Sequence, residues 1–461
     1  MTGRKVPTGI PGLDDLLFGG ILRGSCVLVE GAPGTGKTTL GLQFVYQGAA
    51  QFGEPGMVIT FEEFPEALYR DASNFGWDLK GMEGKGLLRV IATSPHVLVD
   101  QIQEPGGLIE QMAREIGAKR ILVDSITHFQ RLTDDPVRLR EIIDGFFNAL
   151  KRLGLTAFVT KELSEAEGPI PFEAYIADAV IKLYHERVPY AFRRVRYLEI
   201  LKARGQEHIC GAHTFVFTPQ GIRVFPFPMA PEQEIVGNPT RRVRTGIEGL
   251  DEMLNGGLVE GFCALVAGPP GAGKTTLGLQ FLHEGVVNDE PSLFVSLEER
   301  LYKIFLTAQA FGFLKDLIER ECFRALSFPS AGLDVSDLYA QVRQSIEEMG
   351  IKRVVIDGLT DLQANIPDPR QLREYLFALL SLFEQHGITS ILTQETSPAE
   401  VMPEIDPNIS MLIDAVICLR YVEKDGHIKR VLNVLKMRTS AHDMEVREFR
   451  IGPRGIVVEG A

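Results

Sequence analysis

Two stretches, Gly31-Ala32-Pro33-Gly34-Thr35-Gly36-Lys37-Thr38 and Gly268-Pro269-Pro270-Gly271-Ala272-Gly273-Lys274-Thr275, have the spacing of a phosphate-binding loop. Glycines at these places let the backbone wrap a polyphosphate with its N–H groups turned inward, and the helix that follows adds positive potential at its N-terminus. Lys37 or Lys274 then reaches the terminal phosphates, while the Thr38 or Thr275 hydroxyl ligates magnesium. Each stretch follows an apolar run and opens a segment reading TTLGLQF, the strand-to-helix setting this chemistry requires. A chance glycine-rich turn accounts for one such match far better than for two in register.

Carboxylates stand where such loops need them. Asp124 and Asp357 each end an apolar run, which suits a side chain holding magnesium through water, although an aspartate there also serves to cap a helix or turn. Glu62-Glu63 and Glu298-Glu299 end other runs and put at least one carboxylate per copy near the γ-phosphate, ready to orient or deprotonate an attacking water or hydroxyl. Neighbours leaving a strand point to opposite faces, so one glutamate of each pair is expected to be solvated. Lys202 with Arg204, and Lys436 with Arg438, alternate so that both cations of a pair face one way. At a subunit boundary they would reach a neighbour's phosphates; on a sheet edge they would only keep that edge soluble.

The elements that must position these residues come twice. TGIPGLDDLLFGGILRGSCVLVEGAPGTGKTTLGLQF from Thr8 aligns with TGIEGLDEMLNGGLVEGFCALVAGPPGAGKTTLGLQF from Thr245, an offset of 237 (245 minus 8). Further pairs, residues 121–124 with 354–357 and 201–204 with 435–438, keep offsets of 233 and 234. A period this long is a duplicated domain, not a solenoid repeat. The join falls near 226–240, where Pro226, Pro228, Pro231, Gly237 and Pro239 break any regular element, and the expected domains are 1–236 and 237–461. Within each copy, short β-rich apolar runs alternate with helical periodicity, which predicts an α/β fold: a mostly parallel twisted sheet flanked by helices on both faces. Residues 194–201 and 429–435 read as extra strands closing each domain.

Composition bounds the function. At 461 residues, 45% hydrophobic and 24% charged, the chain is globular and larger than one core usually organises. The net charge of -13 argues against nucleic acid as the main partner. Two basic clusters, Arg193-Arg194-Val195-Arg196 and Arg241-Arg242-Val243-Arg244, read instead as salt bridges at a domain or subunit interface. The five cysteines lie far apart and predict reduced thiols. With no export leader and no long apolar span, the expected setting is cytoplasmic, away from membrane.

The sequence resembles the KaiC family of RecA-like ATPases over nearly the whole chain. The resemblance is carried by the duplicated TGI-x-GLD openings, both phosphate loops, FEE and LEE, Asn74-Phe75-Gly76-Trp77-Asp78-Leu79, Leu201-Lys202-Ala203-Arg204-Gly205, and KMRTSAHDMEVREF from Lys436. It implies two tandem RecA-like P-loop domains, stacked as a double-ring hexamer with ATP bound between subunits. Hydrolysis is implied for the first domain and autophosphorylation for the second. Residue by residue, it implies ATP contacts at Gly34, Thr35, Gly36, Lys37, Thr38 and Thr39 and at Gly271, Ala272, Gly273, Lys274, Thr275 and Thr276. Catalysis falls to Glu62, Glu63, Glu298 and Glu299, magnesium to Thr38, Asp124, Thr275 and Asp357, and neighbour contacts to Lys202, Arg204, His208, Arg430, Lys436, Arg438 and His442.

Where family members of the clock type carry a serine-threonine pair as phosphoacceptor, this chain has Ser410-Met411, which leaves one hydroxyl. The sequence stops at Ala461, soon after Phe449, so the long tail that engages an activator is not expected, nor is a full three-protein oscillator. The leading expectation is an ATP hydrolase and serine autokinase acting on an unidentified regulatory partner. A DNA-handling motor and a nucleotide-stabilised scaffold with little turnover are the alternatives.

Overall fold

The structure, a computed structural model, describes residues 5–103, 106–163, 172–187, 194–227, 240–329, 332–397 and 405–459; Arg193 and most of the expected join lie outside them. The chain divides into two compact units, Met1–Phe227 and Pro228–Ala461. Each is built around one nine-stranded sheet.

In the first unit the strands run in the order Gly221–Phe225, Ala212–Thr218, Arg194–Ala203, Ala179–Arg187, Cys26–Gly31, Thr156–Glu162, Arg120–Asp124, Gly56–Thr60, Leu88–Ala92. Pairings from Ala179–Arg187 onward are parallel, and the first three strands are antiparallel additions. The second unit repeats this order, from Phe323–Ser327 through Cys263–Gly268 in the middle to Gly455–Val458. Alternation on the central strand explains the layers. Cys26 and Leu28 join one apolar cluster and Val27 and Val29 the other, so both sheet faces are buried, as a parallel sheet requires. The α/β architecture of two tandem RecA-like domains is therefore present.

Two expectations about the sheet are corrected. Arg194–Ala203 and His427–Met437 do not close their sheets, because a hairpin follows each: Ala212–Thr218 with Gly221–Phe225, and Arg447–Gly452 with Gly455–Val458. For the same reason Lys202 and Lys436 are not on edge strands. The parallel edge is set by Leu88–Ala92 and Phe323–Ser327, which the apolar runs did not reveal.

The helix after each loop, Lys37–Gln51 or Lys274–Val287, lies over the sheet on a buried arginine. Arg120 is fully buried; its guanidinium donates to the Phe44 carbonyl at 3.0 Å and to Glu54 at 2.8 Å. Arg353 repeats this with Phe281 at 2.9 Å and Glu290 at 2.7 Å. A Cβ on Gly48 would sit 2.3 Å from Arg120 Cδ, and one on Gly285 2.5 Å from Arg353 Cδ, which is why glycine interrupts both helices. Arg241, Arg242 and Arg244 find partners nearby inside the second unit, in Glu260 and Glu290, in Ser440 and in Asp251.

Candidate functional site

Each phosphate loop joins the carboxyl end of the central strand to its helix, where ligands of such sheets bind. Gly36 and Gly273 adopt φ of 109° and 115°, a conformation that favours glycine, and each precedes the first helical residue. Thr35 and Ala272 are buried, and their N–H groups close turns onto the Ala32 and Pro269 carbonyls at 3.3 and 3.2 Å. Thr276 is buried beneath the second loop and Thr39 is half-buried beneath the first.

Lys37 Nζ donates to the Gly31 and Ala32 carbonyls, both at 3.0 Å, and stands 4.0 Å from Glu162. Burial lowers its pKa, against the pull of Glu162 and Asp124. Lys274 Nζ donates to Gly268 and Pro269 at 3.0 and 3.2 Å. Thr38 Oγ1 donates to Asp124 Oδ2 at 2.7 Å, and Thr275 Oγ1 to Asp357 Oδ2 at 2.8 Å. The other oxygen of each aspartate accepts from Thr160 or Thr393 on the adjoining strand. Both carboxylates are thus fixed beside the loop hydroxyls.

A cavity of about 360 Å³ over the first loop is lined by Gly34, Gly36, Lys37, Thr38 and Thr39 on one side and by Glu62, Glu63, Asp124 and Glu162 on the other. Both glutamates face it. The strand ends at Thr60 and the pair lies in the bend beyond, with the Glu62 side chain largely exposed, as expected of one of the two. The Glu62 carboxylate lies 2.9 Å from His128 Nε2. The Glu63 carboxyl is raised above its ordinary range, by burial first and then by Asp71, Asp124 and Glu62. In the second unit Glu298 is raised in the same way, by burial and by Asp357, Glu395 and Asp361.

The donor sets suit the groups they would hold. Among the described residues no group of three or more His, Cys, Asp or Glu could enclose a metal. A threonine hydroxyl beside one carboxylate is, however, the sparse oxygen set that magnesium uses when phosphate and water complete its shell. A lysine and a glycine-bearing turn that opens a helix match a polyphosphate.

The remaining predicted residues gather elsewhere. Lys202 Nζ donates to the carbonyls of Ala174, Tyr175 and Ala177 at 2.9, 3.1 and 2.7 Å, and Arg204 donates to Tyr175 at 2.6 Å. They cap the short helix Glu173–Ile176 at its negative end. Lys436 and Arg438 do the same at Pro407–Ser410, bonding the carbonyls of Ser410, Ile413 and Met411 at 2.7, 2.6 and 2.7 Å. Ser410 therefore sits on a helix end held by the paired cations. His208 lies 3.9 Å from Cys210 Sγ, His442 is half-buried, and Arg430 packs over the Tyr421 ring at 5.6 Å, whose hydroxyl reaches Pro270 O.

Sequence reasoning missed His128, Asp361, Glu162, Thr160 and Thr393. Thr160 and Thr393 share the 233 offset of the aspartates they bond, so the repeat itself held that signal (393 minus 160; 357 minus 124). No helix among the described residues is long and apolar enough to cross a membrane.

The family model for the KaiC ATPase matches residues 6–228 and again 243–461. The circadian clock oscillator protein KaiC of Picosynechococcus is 33% identical over 99% of this chain and 90% of its own length. Those of Synechococcus elongatus and Thermostichus vulcanus are 33% and 34% identical over 98% of this chain and 88% of theirs.

Proposed function

Because the chain belongs to the KaiC family of ATPases, we propose that it binds and hydrolyses ATP at both phosphate loops and phosphorylates itself on Ser410. Its two domains, 1–236 and 237–461, would work in a cytoplasmic double-ring hexamer whose nucleotide or phosphorylation state is read by a regulatory protein partner. The observation that carries the reading is the twofold Lys–Thr–Asp constellation, with glutamates facing the first loop across the cavity.

In this reading Lys37 and Lys274 exchange their loop carbonyls for terminal phosphate oxygens, and the loop N–H groups hold the rest of the polyphosphate. Thr38 with Asp124, and Thr275 with Asp357, hold magnesium, which when bound neutralises charge on the phosphate oxygens. Glu62 or Glu63 orients water and receives its proton as the water oxygen bonds the terminal phosphorus and the bond to the ADP oxygen breaks. In the second domain the same atoms serve a hydroxyl. The Ser410 oxygen replaces water, and its proton passes to Glu298 or Glu299.

Phosphate release from purified protein with magnesium and ATP tests the reading. Lys37→Ala with Lys274→Ala should lower it by about 100-fold or more, the scale of losing one preorganised donor to the transferring group. A double variant that matches the parent rejects hydrolysis at these loops, and a parent that retains ATP without turning it over leaves the scaffold reading. Mass spectrometry after incubation with ATP checks Ser410; absence of phosphate there removes the autokinase step.

A further inference from the structure

His128 stands against Glu62, a glutamate of the first cavity. It lies on the turn Ile126–Arg131, directly after the strand that ends in Asp124. Its ring is almost fully buried and edge-on to Phe61 at 6.0 Å, whereas the Glu62 side chain is 66% exposed. The contact, at 2.9 Å, is between Nε2 and a Glu62 carboxylate oxygen. A long exposed glutamate samples many rotamers, and a neighbouring group fixed by burial selects among them. The geometry points to a positioning role: we propose that His128 holds the Glu62 carboxylate over the first phosphate loop, a hold with no histidine at the matching position of the second unit.

The matching residue in the second unit, four positions after Asp357 as His128 is four after Asp124, is Asp361. An ionised aspartate accepts hydrogen bonds and donates none. It belongs to the acidic group around Glu298, together with Asp357 and Glu395, and raises that glutamate's proton affinity. One position thus differs between the two duplicated sites: a buried histidine against the Glu62 carboxylate in the first, and one more carboxylate near Glu298 in the second.

This rests on the hydrolytic reading of Glu62, and the test keeps the two apart. Full-length Lys274→Ala protein confines turnover to the first site. In that background His128→Ala should lower kcat by about 10-fold to 100-fold, the effect of a displaced catalytic group, with KM for magnesium ATP unchanged within about twofold. His128→Gln, which keeps a neutral N–H donor, should recover most of the rate, and His128→Asp should not. Adding His128→Ala to Glu62→Gln should cost nothing further, since the histidine acts through that carboxylate. Equal kcat in the parent and His128→Ala, or a full additional loss on top of Glu62→Gln, overturns the positioning role alone. Phosphate release that survives Lys37→Ala in this background overturns the hydrolytic reading and the proposal with it.

Discussion

At Glu298, burial and like charge act in the same direction. The carboxyl is lifted first by desolvation and then by Asp357, Glu395 and Asp361, all of which favour the protonated form. A base works only when deprotonated, and a raised pKa means the proton is given up only at higher pH. Activity of the second site should therefore fall with acidification earlier than an ordinary glutamate, near about 4.3, would allow. Lys37→Ala protein isolates that site, and its pH–kcat profile should show an acid limb above the ordinary carboxylate range. Asp361→Asn removes one negative neighbour and should move the limb down; a limb that stays put would show that Asp361 does not bear on the base. Asp357, one of those neighbours, is almost wholly buried and accepts from both Thr275 and Thr393.

At the level of elements, the loop helix and the strand beneath it are matched through one glycine and one arginine. Alanine is intrinsically better in a helix than glycine by about 1 kcal/mol, so Gly48→Ala would stabilise an open site. Here the new methyl meets the stem of fully buried Arg120 and pushes on its bonds to Phe44 and Glu54, and overpacking of this kind costs about 1–3 kcal/mol. Gly48→Ala should therefore lose stability in denaturant unfolding. Glu54→Ala should lose more, about 3–5 kcal/mol, because it strands a buried cation. Much of this layer was legible. Fully buried central strands read as continuous apolar runs, and the glycines of the loop announced its turns. The outer hairpins were hidden because Ala212–Thr218 mixes exposed and buried positions, and Leu88–Ala92 is half-covered. His128 was hidden for a different reason. Nothing in its spacing from Glu62 reveals a contact made across two strand ends, so only the folded sheet brings the two together.

For the whole molecule, the question is what Lys436 and Arg438 serve. Each bonds carbonyls at the end of Pro407–Ser410, and Arg438 also stands 3.6 Å from Asp414, which accepts from the Cys263 N–H beside the central strand. Those contacts are enough to make both residues structural. Burial, followed by repulsion from Arg438, nevertheless lowers the Lys436 pKa, a cost that an anionic partner would relieve. If the pair reaches a neighbour's phosphates, loop and cations need not come from one chain. Lys274→Ala protein keeps its cations and lacks a working loop, whereas Lys436→Ala/Arg438→Ala protein keeps its loop and lacks the cations. Each measured in the Lys37→Ala background should be inactive alone. Mixed and reassembled with ATP, they should recover a substantial fraction of parental phosphate release, with light scattering reporting one assembly larger than the single chain. A mixture as inactive as its components would assign the cations to holding the Ser410 helix in their own chain, and a particle of single-chain mass in ATP would exclude trans action altogether.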